Sequence, residues 1–414
     1  MFERLFAISQ AALTTAPAGH IRPLFHNIDW ESPLNAILGS RGVGKTSLLL
    51  QRLQQLGLPP EKALYVDLGD LYFQENRLLD FAERYAMEGG RYLFLDEVHR
   101  YGYGSWAQEL KQVYDLHRTK LKVTFTGSSA IRILKQRADL SRRALQYQMT
   151  GLSFREYLLL KEGIEIEPIS FADLRQNHDH IAQQIIHDIL PRPVEALRHY
   201  WQEGYYPFFL EDPKGYLRRL TQAIQLVLEV DIPNVNEQGG TDYQKLGRLL
   251  YAIASSVPFK PNVSKLAARL EMGRDTLLKY LQLLEDADLI LSLRQESKGI
   301  AALGKPDKVY LNNPNLLYAL APSQVEISTL RETFFYNQLH YLTQAADIAP
   351  PEIQLPKVGD FVLIDKFDRY VFEVGGPDKT RQQIGPADHH FAVIDSDLSG
   401  GQWRIPLWLF GLLY

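Results

Sequence analysis

The amino-acid sequence predicts an α/β protein whose first third forms a parallel β-sheet with helices on both faces. Short apolar runs alternate with helical patterns there, which is the order of βαβ units. The first run passes through a glycine-rich loop into a helix over 45–56, which repeats leucine at helical spacing and stops at Gly57. The predicted strands are 34–38, 63–67, 92–96, 122–126 and 145–149.

The composition limits the classes of function. A length of 414 residues exceeds what one hydrophobic core usually organises, so we expect several domains. The net charge of −4 gives no general attraction to nucleic acid, so such binding would need a local basic face. The lack of cysteine excludes disulfides and thiolate chemistry. With neither a membrane-length apolar run nor a signal-peptide pattern, we expect a soluble cytoplasmic protein that binds no membrane.

Three segments follow the sheet region, which we place at 1–152. Residues 153–244 show few strand signals and predict a helical lid or extension, with helices over 173–190 and 216–230. Residues 326–414 begin with a helix and continue into strands, which predicts a small α+β tail domain.

The segment between them, 245–325, has the order of a winged helix-turn-helix. Helices over 263–270 and 274–285 flank a turn, and a strand follows. DNA contact through 262–294 is one interpretation, and packing or protein contact is the other. We favour the second, because a DNA reader usually carries a clear basic footprint. The second helix offers a DNA duplex only Arg274, Lys279 and Gln282.

The loop over 39–46 matches the phosphate-binding pattern G-x-x-x-x-G-K-[ST]. Its glycines would let backbone amides turn inward around a phosphate, and the following helix directs its positive end at the same anion. Lys45 would bridge the β- and γ-phosphates, and the Thr46 hydroxyl would hold Mg²⁺. The alternative is a glycine-rich turn that precedes a helix by chance. The predicted nucleotide contacts are Gly39, Ser40, Arg41, Gly42, Val43, Gly44, Lys45, Thr46 and Ser47.

The apolar strand over 92–96 ends in two carboxylates, Asp96 and Glu97. Asp96 would hold the magnesium shell, and Glu97 would polarise the attacking water as general base. The alternative is a buried strand that ends in solvated acids. We interpret the neighbouring His99 as structural, because Glu97 already fills the role of base.

Two further positions are candidates for contact with the γ-phosphate. The fourth predicted strand ends in hydroxyl side chains at the ligand edge of a parallel sheet. We select Ser128 as the sensor, with Thr126 as the alternative and an ordinary capping serine as the structural interpretation. Arg142 and Arg143 precede the fifth strand, where an arginine would neutralise transition-state charge in its own subunit or across an oligomer interface.

These motifs together resemble predicted bacterial and archaeal ATPases of the AAA+ superfamily that carry a C-terminal domain of unknown function. The resemblance rests on the phosphate loop, the strand ending in Asp96 and Glu97, the run 126–129, and the stretch 140–157. That family usually has glycine where this chain has Arg142, and we assign the arginine finger to Arg143. Residues 204–207 and 231–233 also resemble the family.

The resemblance implies strand order 5-1-4-3-2, a helical lid, a winged-helix segment and a nuclease-related tail. It implies ATP rather than GTP, since no guanine-reading N-K-x-D occurs. The leading hypothesis is a Mg-dependent ATPase that acts as a switch or motor on an unidentified partner, in a monomer or a homo-oligomer. The rival hypothesis is a DNA-binding regulatory module in which nucleotide only gates binding.

In the tail, Glu332 on a helix and Asp360 and Glu373 on two strands resemble the layout of PD-(D/E)XK nucleases. Those enzymes place a lysine where this chain has Gly375, and Lys379, with no evident partner to hold it, would be a loose substitute. We therefore predict a retained fold without cleavage, used as a protein-interaction surface. That surface would include Arg381 and Gln382.

Overall fold

The structure is a computed structural model that describes residues 2–17, 19–103, 105–129, 140, 142–235, 241–296, 305–344, 350–366, 368–380 and 389–414. The chain forms two compact units, each discontinuous in sequence. The first comprises Met1–Thr150 and Gln225–Thr241, and the second comprises Gly151–Ile224 and Asp242–Tyr414. The four sequence segments 1–152, 153–244, 245–325 and 326–414 remain a prediction.

The first unit contains the predicted parallel sheet. Its strands lie in the order β2-β3-β4-β1-β5, and every neighbouring pair is parallel. This order is 5-1-4-3-2 viewed from the opposite edge, so the predicted α/β fold class is confirmed. The strands are β1 (Leu34–Gly39), β2 (Ala63–Asp67), β3 (Tyr92–Asp96), β4 (Lys122–Ser128) and β5 (Leu145–Gln148).

Six helices of this unit precede or connect the strands within the described residues. The helix after β1 has the predicted bounds, and it ends where Gly57 takes a left-handed φ of 60° and donates its N–H to the Gln54 carbonyl. Its leucines pack inward as their spacing predicts. The helices are α1 (Phe2–Thr14), α2 (Leu24–Asn27), α3 (Lys45–Leu56), α4 (Tyr72–Glu75), α5 (Leu78–Met87) and α6 (Trp106–His117).

The chain from 153 to 235 is helical, as predicted. Ser153 and Glu156 form a reciprocal capping box, each side chain accepting the other's backbone N–H, which begins the first of these helices. The last predicted helix changes at Val227 into a π-helical turn that ends at Asp231. The helices are α7 (Phe154–Glu162), α8 (Phe171–Asp188), α9 (Pro193–Glu203), α10 (Tyr216–Leu226) and, after the π turn, α11 (Ile232–Val235).

The predicted helix-turn-helix order is present in the second unit. The helices α12 (Tyr243–Ala254), α13 (Val263–Arg269) and α14 (Arg274–Asp286) come first. They are followed by β6 (Ile290–Leu293), which pairs antiparallel with β7 (Lys308–Leu311). Assignment of these elements to the winged-helix class remains a prediction.

The tail region has the predicted helix followed by a sheet. Its strands lie in the order β12-β11-β10-β9-β8, with β10, β11 and β12 parallel and the other pairs antiparallel. Across the described residues, no helix combines the length and apolar character needed to span a bilayer. The remaining elements in chain order are α15 (Pro314–Leu320), which precedes the tail, and α16 (Ile327–Gln344), β8 (Glu352–Gln354), β9 (Phe361–Asp365), β10 (Asp368–Gly375), β11 (His390–Ile394) and β12 (Arg404–Pro406).

Candidate nucleotide site

The loop between β1 and α3 has the backbone of a phosphate cradle. Gly42 and Gly44 have φ values of 88° and 101°, in the left-handed region that favours glycine. A Cβ atom on Gly39 would lie 2.2 Å from the carbonyl oxygen of Met149, so the close approach of these chain segments requires glycine. The predicted glycine positions are therefore set by backbone geometry.

Lys45, the first residue of α3, is buried at the mouth of this loop. Its ammonium donates to the carbonyl oxygens of Gly39 and Ser40, both at 2.8 Å. Burial lowers the pKa of Lys45, and the charges of Glu97 and Asp96 oppose that effect. The loop thus concentrates a buried positive charge beside the first amides of α3, which have no partner within the helix.

Asp96, at the end of β3, accepts hydrogen bonds from three hydroxyl groups. Thr46 donates to its Oδ2 atom at 2.7 Å, Tyr65 donates to the same atom at 2.9 Å, and Thr126 donates to Oδ1. Asp96 itself is buried. The two predicted metal ligands, Thr46 and Asp96, are therefore in direct contact.

Tyr65 is a site residue that the sequence interpretation missed. Burial and the nearby Asp96 charge raise the pKa of the phenol far above its ordinary value, so Tyr65 stays a hydrogen-bond donor. The implied strand order 5-1-4-3-2 could have predicted this contact, because it places β2 beside β3. In the observed register, Tyr65 is paired with Phe94. A buried tyrosine hydroxyl in such a strand needs a partner.

The two hydroxyl candidates on β4 have different contacts. Thr126 accepts from the Glu97 N–H at 3.1 Å in addition to its bond to Asp96. Ser128 is paired with Gly39 in the parallel register, and its N–H donates to His99 Nδ1 over 3.5 Å. The structure thus brings both residues to the site, Thr126 at the carboxylates and Ser128 at the start of the phosphate loop.

Glu97 leaves the line of β3 with a φ of 51°, which is uncommon for a residue with a side chain. Its carboxylate accepts from Arg100 Nη1 at 3.2 Å and lies 3.4 Å from Arg41 Nη1. The predicted base is therefore held by two guanidinium groups beside the loop. Arg41, predicted only as a member of the loop, has this second role.

Arg143 is the predicted site residue that the structure does not bring to the loop. Its guanidinium donates to both carboxylate oxygens of Asp115, at 2.9 and 3.2 Å, which lowers the pKa of Asp115. Because Asn35 pairs with Leu145, Arg143 lies near the amino end of β1, whereas Lys45 follows its carboxyl end. Because β1 has six residues, its two ends are about 20 Å apart. Arg142 is exposed.

The predicted tail carboxylates lie near one another and have internal partners. Glu332 accepts from Tyr310 at 2.6 Å, and Lys308 Nζ lies 3.7 Å from Glu332 and 3.6 Å from Asp360. Burial, reinforced by the Asp360 charge, raises the pKa of Glu332. Among the described residues, no group of three or more acidic, histidine or cysteine side chains is arranged to hold a metal ion.

The expectation that Lys379 has nothing to hold it is wrong. Its ammonium donates to Glu373 Oε1 at 2.6 Å. Its aliphatic chain covers Gly375, where an added Cβ would lie 2.2 Å from Lys379 Cε. The sequence suggested neither contact, because both depend on how the loop after β10 folds back. Arg381 and Gln382 lie outside the described residues.

Comparison with known proteins places a family match on the first unit's sheet. Residues 31–158 match the model of the AAA domain family, and residues 194–326 match a Domain of unknown function (DUF8612). Together with the loop and the strand order, the first match shows that residues 31–158 have a P-loop NTPase fold and are similar to AAA domains.

The chain also has similar proteins over most of its length. It is 26% identical over 377 residues to an uncharacterized protein of Methanocaldococcus jannaschii, with 84% of this chain and 76% of that protein covered. Among solved structures, the Walker-type ATPase of Pyrococcus abyssi shares 13% identity, with 77% of this chain and 95% of that chain covered and a TM-score of 0.39. The Aeropyrum pernix Orc1 protein in complex with DNA shares 13% identity, with 78% of this chain and 94% of that chain covered and a TM-score of 0.31.

Proposed function

We propose that the protein binds ATP together with Mg²⁺ and hydrolyses it, acting as a switch or motor on a partner. The observation that carries this proposal is the meeting of Lys45, Thr46, Asp96 and Glu97 at the carboxyl edge of the parallel sheet. Lys45 lies in a loop whose backbone requires glycine, and the other three surround its mouth. A structural ion-pair cluster would not require such a loop.

The residues present fit a magnesium ion. Thr46 and Asp96 supply a hydroxyl and a carboxylate oxygen 2.7 Å apart, and Mg²⁺ prefers oxygen ligands. When bound, Mg²⁺ would neutralise charge on the β- and γ-phosphates. Tyr65 and Thr126 would keep the Asp96 carboxylate oriented, because each donates to one of its oxygens.

The reaction is transfer of the γ-phosphoryl group to water. Loop amides and the Lys45 ammonium would hold the phosphates, while Glu97 accepts a proton from the attacking water. The bond from the γ-phosphorus to the bridging oxygen breaks, and ADP leaves with the electron pair. Ser128, next to Gly39, is our candidate for sensing the γ-phosphate, and Thr126 remains the alternative.

We further propose that Arg143 acts across a subunit interface. The length of β1 separates Arg143 from the phosphate loop of its own chain, and this distance is greater than the length of an arginine side chain. An arginine finger at this edge would then need a second copy of the chain. A homo-oligomer follows from this assignment.

The direct test measures phosphate release by the purified protein with Mg²⁺ and ATP, and again with duplex DNA. ATP affinity is measured in parallel by calorimetry, with EDTA as the metal-free control. The proposal expects Mg-dependent turnover of ATP with weaker use of GTP. Binding without turnover, under conditions where added DNA binds only with ATP, would favour the rival gating hypothesis.

One observation favours DNA contact as a second candidate function. A cavity of about 350 Å³ beside the start of α13 is lined by Lys260, Arg274 and Lys305, with Asp307 the single acid among its lining residues. Three cations around one concave surface suit a phosphate of a nucleic-acid backbone. Replacing Lys260 and Arg274 by alanine should weaken duplex binding and reduce its salt dependence, if this cavity binds DNA.

A further inference from the structure

Arg41 of the phosphate loop forms an ion pair with a buried residue that is distant in the sequence. Asp231, at the end of the π turn, is fully buried in the first unit. Its Oδ1 atom accepts from Arg41 Nη2 at 2.7 Å, and its Oδ2 atom accepts from Arg41 Nε at 3.3 Å. The pair spans 190 positions and fixes the plane of the guanidinium, because two parallel bonds define it.

His99 is the second partner of Asp231. Its buried Nε2 atom lies 3.3 Å from Asp231 Oδ1, without the alignment of a good hydrogen bond. Because Nδ1 accepts the Ser128 N–H, the neutral ring carries its proton on Nε2, facing the carboxylate. His99 therefore joins the end of β4 to Asp231.

Arg41 connects Asp231 to Glu97, the predicted general base. Asp231 occupies Nε and Nη2 of Arg41, and the remaining Nη1 lies 3.4 Å from Glu97 Oε1. Burial alone would raise the pKa of Asp231, but His99 and Arg41 together hold it well below its ordinary range. The carboxylate is thus charged at neutral pH, and removing that charge would leave the Arg41 guanidinium with Glu97 as its main partner.

We propose that Asp231 is a positioning residue for ATP hydrolysis. By fixing the side chains of Arg41 and His99, it determines the position of the Glu97 carboxylate. This inference rests on the proposed ATPase function. It makes turnover sensitive to the π turn Val227–Asp231, because displacement of that turn would free Arg41 to move with Glu97. Asp231 acts through these side chains and does not need to touch the nucleotide.

The test compares Asp231→Asn with the parent protein. We expect kcat to fall roughly 10- to 100-fold, the cost of a small misplacement at a reacting centre, while ATP affinity changes less than about threefold. Arg41→Ala should produce the same loss, and the double variant should lose no more than Arg41→Ala alone. Asp231→Glu, which keeps the charge, should recover part of the rate.

The matched control is Asp395→Asn in the second unit. Asp395 is another buried carboxylate, paired with Arg331 at 2.8 Å and Arg198 at 3.4 Å. This variant should lose thermal stability as Asp231→Asn does, with kcat of the folded protein unchanged. Parent-like kcat in Asp231→Asn or in Arg41→Ala, or additive losses in the double variant, would overturn the inference. A parent protein without ATP turnover would instead overturn the proposed function.

Discussion

The phosphate loop of the first unit and the acidic cluster of the tail both place a lysine beside strand-end carboxylates. In the first, Lys45 donates to carbonyl oxygens of its own loop, and the donors to Asp96 among the described residues are hydroxyls and a backbone N–H. In the tail, Lys379 and Lys308 are themselves the partners of Glu373 and Asp360.

The two sites differ in the interactions that their carboxylates would have to break to bind a metal ion. A hydroxyl that donates to a carboxylate can rotate and offer its oxygen to a metal at small cost. A carboxylate paired with lysine must break that pair first, and leaving a partly buried charge alone is costly. The first arrangement therefore favours an incoming anion and cation, and the second favours a stable fold.

The largest expected effect is that of Lys45→Ala. Removing the only buried ammonium of the loop deletes its charged contact with the β- and γ-phosphates while the glycine backbone remains. ATP binding should weaken by roughly 100-fold or more and turnover should be lost. Calorimetry checks this, with Lys379→Ala as the matched lysine control that keeps parent affinity. Equal ATP affinity in Lys45→Ala and parent would refute the site assignment.

Glu97→Gln should separate binding from chemistry. The amide can still accept a hydrogen bond from Arg100 but cannot take a proton, so ATP should bind normally while kcat falls by roughly 10³. Glu109→Gln is the control, because Glu109 is a buried carboxylate of the first unit that accepts the Leu79 N–H away from the loop, whereas Glu97 is half-buried. An unimpaired rate in Glu97→Gln would remove Glu97 as the base.

Arg143→Ala should slow hydrolysis by roughly 10³ with little change in affinity, as loss of an arginine finger does. Its position at the amino edge of the sheet adds a sharper test. Chains with an intact Arg143 but a Glu97→Gln substitution, mixed with Arg143→Ala chains, should regain turnover at mixed interfaces. Strictly additive rates across mixing ratios would show that Arg143 does not act between subunits.

A smaller effect concerns the pH dependence of ATP affinity. Because burial lowers the pKa of Lys45, its charged form is complete below that lowered pKa and is lost as pH rises through it. ATP affinity should therefore decline by a few fold before pH reaches about 10, where an ordinary lysine would still be charged. Lys45→Arg stays protonated and should show a flat profile. A flat profile in the parent would contradict this prediction, because it would mean that the charges of Glu97 and Asp96 keep Lys45 protonated in the free protein.

Much of the first unit could be predicted from sequence because its signals are local. Buried parallel strands are continuous apolar runs, and the phosphate loop needs glycine at fixed positions. Asp231 could be noticed but not placed, since no local pattern encodes a contact between positions 190 apart. The position of Arg143 at the amino end of the sheet could have been predicted from the strand order, which makes β5 a parallel neighbour of β1. Residues that precede β5 then lie beside the start of β1, at the opposite end from the phosphate loop.

The smallest expected effect is in the tail, where we predict no nuclease activity. Glu332, Asp360 and Glu373 already have hydrogen-bond donors or lysines as partners, so a metal ion would have to displace them. Purified protein is incubated with single- and double-stranded DNA and RNA in Mg²⁺ or Mn²⁺, with and without ATP. Cleavage that disappears in Glu373→Ala but survives in Lys45→Ala would contradict this prediction. Such a result would mean that the Lys379 ammonium, held at 2.6 Å from Glu373, serves the scissile phosphate rather than the fold.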